Sequence, residues 1–255
     1  MAMVDLHDLM TTTHEVSGRL ARIATGRATV SGVTLLACGP VQIMRALDDL
    51  ERSARVSAVT SLPMVSFDPE DPGFELNERS RARGISLHLT TTPLALATNP
   101  MIVCTSPNVL IGPASLRTIL VDDRLAIVEG PPTRYGESTA WRCERGTELF
   151  ELASGYLTSL VAASTPALAP GEKPPLTPRQ VRVARAMCLG LTDEAIGRRL
   201  DISTRSVERE VAAVLRALGA RARTEAVLNM MGRGRAGSAD ARARAVAPRA
   251  MQTSG

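Results

Sequence analysis

Residues 1–172 contain no lysine, and Lys173 is the single lysine of the chain against 29 arginines. That absence excludes a Gly-Lys-Ser/Thr phosphate loop from the amino-terminal two-thirds of the chain. It also excludes a phosphoacceptor receiver site, which needs a lysine beside its aspartate; the pair Asp48-Asp49 moreover falls in a helical stretch, not at a strand end. Aromatic residues are scarce: one Trp, two Tyr and three Phe. The four cysteines, Cys38, Cys104, Cys143 and Cys188, lie far apart without metal-like spacing. They read as reduced thiols in a cytoplasm, with a redox or metal sensor as the alternative. His7, His14 and His88 form no recognisable site. No metal, cofactor or catalytic residue is therefore expected. There is no signal-peptide pattern, no apolar run long enough for a bilayer and no internal repeat, so a cytoplasmic protein without a membrane partner is expected.

What is present is uneven. Residues 171–255 hold 16 basic and 8 acidic side chains, and residues 1–170 hold 14 and 18. A basic half joined to an acidic one suits a nucleic-acid reader attached to a regulatory domain. The Pro- and Ala-rich run 163–175, ASTPALAPGEKPP, reads as a semi-rigid linker. The expected organisation is an α/β regulatory or dimerisation domain at 1–162, the linker at 163–175, an all-α domain at 176–231, and an Arg-rich disordered tail at 232–255.

The segment 176–231 carries the clearest signals. Thr177, Pro178 and Gln180 make an N-cap, a first-turn proline and a capping box. Val181, Ala184, Met187 and Cys188 recur at helical spacing until Gly190. A short helix from Thr192 has Asp193 and Glu194 in its first turn and buries Ala195, Ile196 and Leu200. After Asp201-Ile202, Ser203 caps a third helix with the stripe Val207, Val211, Val214, Leu215 and Leu218, ended by Gly219. Thr224 opens a fourth, with Ala226, Val227 and Met230. Two short helices joined by a tight turn can seat the second in the major groove. Its polar face carries Arg205, Glu208, Arg209, Ala212 and Arg216. Arginine pairs bidentately with guanine, and glutamate accepts from cytosine N4. A charged, solvated helix face is the plain alternative.

This segment resembles the carboxy-terminal domain of LuxR-type transcription regulators. The resemblance rests on Leu176-Thr177-Pro178-Arg179, Gly190-Leu191-Thr192, Ile196, Leu200, Ser203, Val207, Leu218-Gly219, Arg223-Thr224 and Ala226. It implies a four-helix, helix-turn-helix domain. The expected DNA-binding residues are Thr192, Ser203, Thr204, Arg205, Glu208, Arg209, Ala212 and Arg216, and the expected pairing surface is Thr224, Val227, Met230 and Met231. The chain departs from the pattern at Gln180 for glutamate, Ala195 for glutamate, Ser206 for threonine, Glu208 for a phosphate-meeting lysine, and Glu210 for histidine or arginine. Two acids on the recognition helix are expected to weaken phosphate contacts. The scarcity of Trp and Tyr also sets the amino-terminal part apart from acyl-homoserine-lactone sensors. The arginine excess suits a GC-rich genome, as in actinobacteria.

In the amino-terminal part, a helix is expected over about Val4–Ala24, a strand at Val33–Ala37, and a helix from Pro40 with Ile43, Met44, Leu47 and Leu50. A strand at Val56–Thr60, a helix at Glu75–Arg83 and a strand at Ile85–Leu89 follow. Arg117–Val121 and Leu125–Val128 read as paired strands, and Trp141–Ala162 as a closing helix. Such alternation implies a mixed sheet with packed helices. The region 93–113 gives no secure pattern. ERSRARGISLHL and SLRTILVDDRLAIVEG together resemble a phospholipase-D-like domain found in some actinobacterial LuxR-type regulators; a buried hairpin is the alternative. In that enzyme family a strand carries His-x-Lys, with an Asp five residues after the Lys and then a Gly-Ser turn. Laid onto this chain, Ser115 falls at the His, Arg117 at the Lys, Asp122 at the Asp and Gly130 near the Gly. The resemblance implies a degenerate half without a nucleophile, a dimer, and a sensor pocket near Ser115, Arg117 and Asp122, the last two forming an anion site or ion pair. The expected protein is a sequence-specific transcription regulator. Its partners would be double-stranded DNA at an inverted repeat, a second copy of itself, and a small-molecule or protein effector. An interaction or scaffold protein with a weak DNA-binding module, and a residual phosphodiesterase, are the alternatives.

Overall fold

The computed structural model describes residues 6–234; part of the expected tail, residues 235–255, lies outside the described residues. The elements in chain order are α1 (Leu6–Ala24), β1 (Val33–Cys38), α2 (Pro40–Ser53), β2 (Ser57–Leu62), α3 (Pro72–Ala82), β3 (Ser86–Thr91), α4 (Pro93–Thr98), α5 (Ile102–Thr105), β4 (Leu110–Ile111), β5 (Thr118–Val121), β6 (Leu125–Gly130), β7 (Thr139–Glu144), α6 (Glu148–Ala162), β8 (Thr165–Pro166), α7 (Pro178–Cys188), α8 (Asp193–Leu200), α9 (Thr204–Ala217) and α10 (Arg223–Met230). They divide into two compact units. Of the described residues, unit 1 holds 6–64, 71–92 and 108–169; unit 2 holds 65–70, 93–107 and 170–234. No helix among the described residues is long and apolar enough to cross a membrane.

Unit 1 is a mixed eight-stranded sheet in the order β1-β7-β6-β5-β2-β3-β4-β8. β2, β3 and β4 run parallel, and every other neighbouring pair is antiparallel. Helices cover both faces. Leu9, Val16 and Leu20 of α1 and Phe150, Ala153, Tyr156, Leu157 and Leu160 of α6 pack with Ala126, Val128, Trp141 and Cys143. On the other face Ile43, Leu47 and Leu50 of α2 pack with Leu125, Ile127 and Ala140. Strand β6 therefore buries both of its sides, which is why it reads as the unbroken apolar run Leu-Ala-Ile-Val. Gly130 ends it beneath Trp141: a Cβ there would stand 2.3 Å from the indole nitrogen.

The structure corrects the expected helix from Trp141. Residues 139–144 form β7, pairing with β1 and β6, and the helix begins only at Glu148. Trp141 and Cys143 alternate onto the face covered by α1 and α6, the period of a strand. Thr147 is the true cap, its hydroxyl accepting from the Phe150 N–H. The stretch taken as linker contains β8, whose antiparallel bonding to β4 leaves Pro166 on the edge of the sheet.

Unit 2 is helical. Val181, Val183, Ala184 and Met187 of α7, Ile196 of α8, Val207 and Val214 of α9, and Ala226 and Met230 of α10 are all buried. The region without a sequence pattern supplies α4 and α5, which belong to this unit. Ala95, Met101, Ile102, Val103 and Cys104 are buried, and α5 packs on α7. Arg185 of α7 donates to the Asp68 carbonyl (3.1 Å), so the 65–70 segment is also tied in.

Candidate nucleic-acid interface

The turn between α8 and α9 is built from three local features. Asp201 adopts the left-handed conformation (φ 53°) and ends α8. Ser203 caps α9, its hydroxyl accepting from the Ser206 N–H (3.2 Å). Gly197 lets the chain close: a Cβ there would lie 2.8 Å from the Ile202 carbonyl. Thr192 caps α8 in the same manner, accepting from the Ala195 N–H (3.3 Å). Thr192 and Ser203 are thus helix caps, and the Ser203 hydroxyl also lies 2.9 Å from that of Ser206. Arg223 pairs with Asp193 (2.6 Å) and donates to the Leu191 carbonyl, fixing the start of α10 against the start of α8.

On α9, Val207 and Val214 are fully buried, whereas Thr204, Arg205, Glu208, Arg209, Ala212 and Arg216 are exposed. The sequence-derived set thus lies on one outward surface. Arg209 is 72% exposed and stands 3.6 Å from Glu210. Among the described residues, Arg205, Glu208 and Arg216 have no recorded side-chain hydrogen bond or ion pair.

Glu210 behaves differently from what its place on the recognition helix suggests. Its side chain is 12% exposed and turns towards α7. It accepts from Nε2 of Gln180 (3.3 Å), with Arg179 at 4.0 Å. The same Gln180 amide accepts the Thr177 N–H through Oε1 (2.9 Å), completing the capping box. A glutamine serves both bonds because its amide both donates and accepts. Only one of the two acids therefore faces solvent with the arginines.

The residues expected to form the pairing surface differ in burial. Thr224 is exposed, and Val227 and Met231 are half-buried. Met230 is fully buried and packs its sulfur 3.9 Å from that of Cys188, so it belongs to the core of the unit. Leu228, outside the expected set, is 43% exposed; it follows Thr224 by four and precedes Met231 by three, the spacing of one helix face.

The three residues expected to form a sensor pocket do not converge. Ser115 is held by its hydroxyl to Thr13 (2.8 Å) and by its N–H to the Tyr156 hydroxyl (2.7 Å), which also accepts the Leu116 N–H (3.0 Å). Arg117 faces Glu129 (3.3 Å) and donates to the Met64 carbonyl (3.1 Å). Asp122 lies past the far end of β5, about 16 Å of extended chain from Arg117. Its carboxylate accepts from the backbone N–H groups of Arg55, Val56 and Ser57 (2.9, 2.8 and 3.0 Å), and Arg124 stands 3.7 Å away. Burial opposes its charge, but those three donors and Arg124 hold its pKa below the usual carboxylate value. Asp122 thus ties the β5–β6 turn to the start of β2, and no Arg117–Asp122 ion pair exists. A groove of about 710 Å³ beside α2 and α3, lined by Val41, Met44, Asp48, Arg52 and Leu76, includes none of the three. Among the described residues, no group of three or more His, Cys, Asp or Glu is placed to hold a metal ion.

No curated protein matches the chain. Among solved structures, NucT from Helicobacter pylori aligns at 14% identity, covering 52% of this chain and 98% of its own, with a TM-score of 0.42. Nuc from Salmonella typhimurium, a phospholipase D family member, aligns at 13% identity over 54% and 98%, also at 0.42. TrmBL2, an archaeal chromatin protein, aligns at 10% identity over 60% and 62%, at 0.40. Residues 174–230 match the family of bacterial regulatory proteins, luxR family. Span, caps and helix order agree with that match, and the carboxy-terminal segment of this chain is a LuxR-family helix-turn-helix domain, the DNA-binding domain of transcription regulators.

Proposed function

We propose that this protein is a cytoplasmic, sequence-specific transcription regulator that binds DNA as a homodimer through α9. Unit 1 serves as its regulatory or dimerisation domain. The observation that carries the reading is the outward face of α9, where Arg205 and Arg216 form no ion pair among the described residues and stand beside the largely exposed Arg209. Uncommitted arginines on a helix of this kind are placed for phosphates and base edges. Pairing through Thr224, Leu228 and Met231 would set two copies of α9 on half-sites about 34 Å apart, which suits an inverted repeat. Unit 1 is a regulatory rather than a catalytic domain in this reading, with the Ser115 hydroxyl engaged by those of Thr13 (2.8 Å) and Tyr156 (3.4 Å). The test is the salt dependence of duplex DNA binding by the full-length protein. Log affinity should fall linearly with log salt, and Arg216→Ala should lower that slope by about one. Binding that ignores salt would favour the second reading, an interaction protein, to which the free Glu208 carboxylate lends its own support.

A further inference from the structure

The two acids of α9 have opposite fates, and the contrast gives Glu208 a role. Glu210 is turned inward and engaged by Gln180, with Arg179 and Arg209 nearby. Glu208 is exposed and unengaged among the described residues, although Arg205 lies three positions before it and Arg209 is its neighbour. Arg205, Glu208 and Ala212 follow one another at spacings of three and four, so they share one face of the helix. A free carboxylate there is repelled by phosphates and weakens binding to any DNA, unless a base edge offers it a proton. In the major groove only cytosine N4 and adenine N6 do so. Beside adenine N6 stands the N7 acceptor, which repels the second carboxylate oxygen; cytosine has no acceptor in that place. Guanine and thymine present acceptors where the carboxylate would sit.

Resting on the regulator reading above, we propose that Glu208 is a specificity-determining residue that selects a cytosine in each half-site by accepting a hydrogen bond from its N4 amino group. Arg205, one turn earlier, is placed for the neighbouring guanine, so acid and base divide attraction between them: the arginine binds and the glutamate discriminates. The carboxylate lowers affinity for every wrong sequence more than for the right one, which is discrimination by repulsion.

The experiment is enrichment from a random duplex pool by the full-length protein and by its Glu208→Gln and Glu208→Ala variants, at one fixed salt concentration. Glu208 is exposed and makes no side-chain hydrogen bond or ion pair among the described residues, and matching thermal unfolding of the three proteins checks that the variants are intact. The wild type should enrich a motif with a cytosine preferred about tenfold at one position per half-site. Glu208→Gln should change that position to adenine, because an amide pairs bidentately with N6 and N7. Glu208→Ala should lose the preference there alone, and both variants should bind random DNA more tightly than the wild type. One unchanged motif from all three proteins would overturn the role of Glu208 and leave the regulator reading intact. No motif from the wild type would overturn the regulator reading, and this proposal with it.

Discussion

A single carboxylate, Asp122, holds three backbone N–H groups at the mouth of β2. Asp122→Ala leaves those donors to water at a largely exposed edge and should destabilise unit 1 by about 1–3 kcal/mol, read from urea unfolding. The sign of its pH dependence follows from the lowered pKa. The stabilisation is complete above the unfolded-state pKa of about 3.9 and is lost as pH falls through the folded-state value. The stability gap between the wild type and Asp122→Asn should thus be flat down to about pH 5 and shrink below about pH 4. Cysteine reactivity gives a second check. Burial pushes Cys104 and Cys188 up to about 11 and Cys143 up to about 12. At neutral pH iodoacetamide should label Cys38 first and reach the other three only on unfolding; prompt labelling of native Cys143 would contradict this packing. In the sequence Asp122 reads as a partner of Arg117 in a pocket, not as the tie between the β5–β6 turn and β2. Its three donors come from a segment some sixty-five positions earlier, which no local pattern reveals.

At the scale of elements, the helices of unit 2 were legible because each carries its own start and stop signals: Thr177, Thr192 and Ser203 as caps, Gly190 and Gly219 as ends. Strand β7 was not, because Thr-Ala-Trp-Arg-Cys-Glu flows into helix-forming residues and its stop signal, Gly146 before the Thr147 cap, is short. Met230 shows the matching limit on a helix: periodicity finds a face, but tertiary packing decides whether that face is buried or offered to a partner. The bond between α7 and α9 is testable as an element-level contact. Gln180→Glu sets a carboxylate against Glu210 and should cost about 1 kcal/mol of unit 2 stability. Adding Glu210→Gln restores a donor and should recover most of that loss in thermal unfolding; an additive double mutant would show that the contact contributes nothing.

At the scale of the whole molecule, unit 2 is assembled from stretches that lie far apart in the chain. Residues 93–107 leave the sheet after β3, bury Met101, Ile102 and Cys104 within unit 2, and return as β4. Sequence reading treats domains as contiguous, so it placed this region in the α/β domain at 1–162. A fragment of residues 170–234 lacks that apolar cover and should unfold at lower urea than unit 2 does within the full chain. The outward face of α9 remains the central claim. The most direct measurement is selection of genomic DNA fragments by the full-length protein at near-physiological salt, with an Arg205→Ala/Arg209→Ala double variant beside it. The wild type should recover fragments sharing an inverted repeat with half-sites about one helical turn apart, and the variant should lose them. Recovery of nothing, or of the same fragments by both proteins, would contradict it.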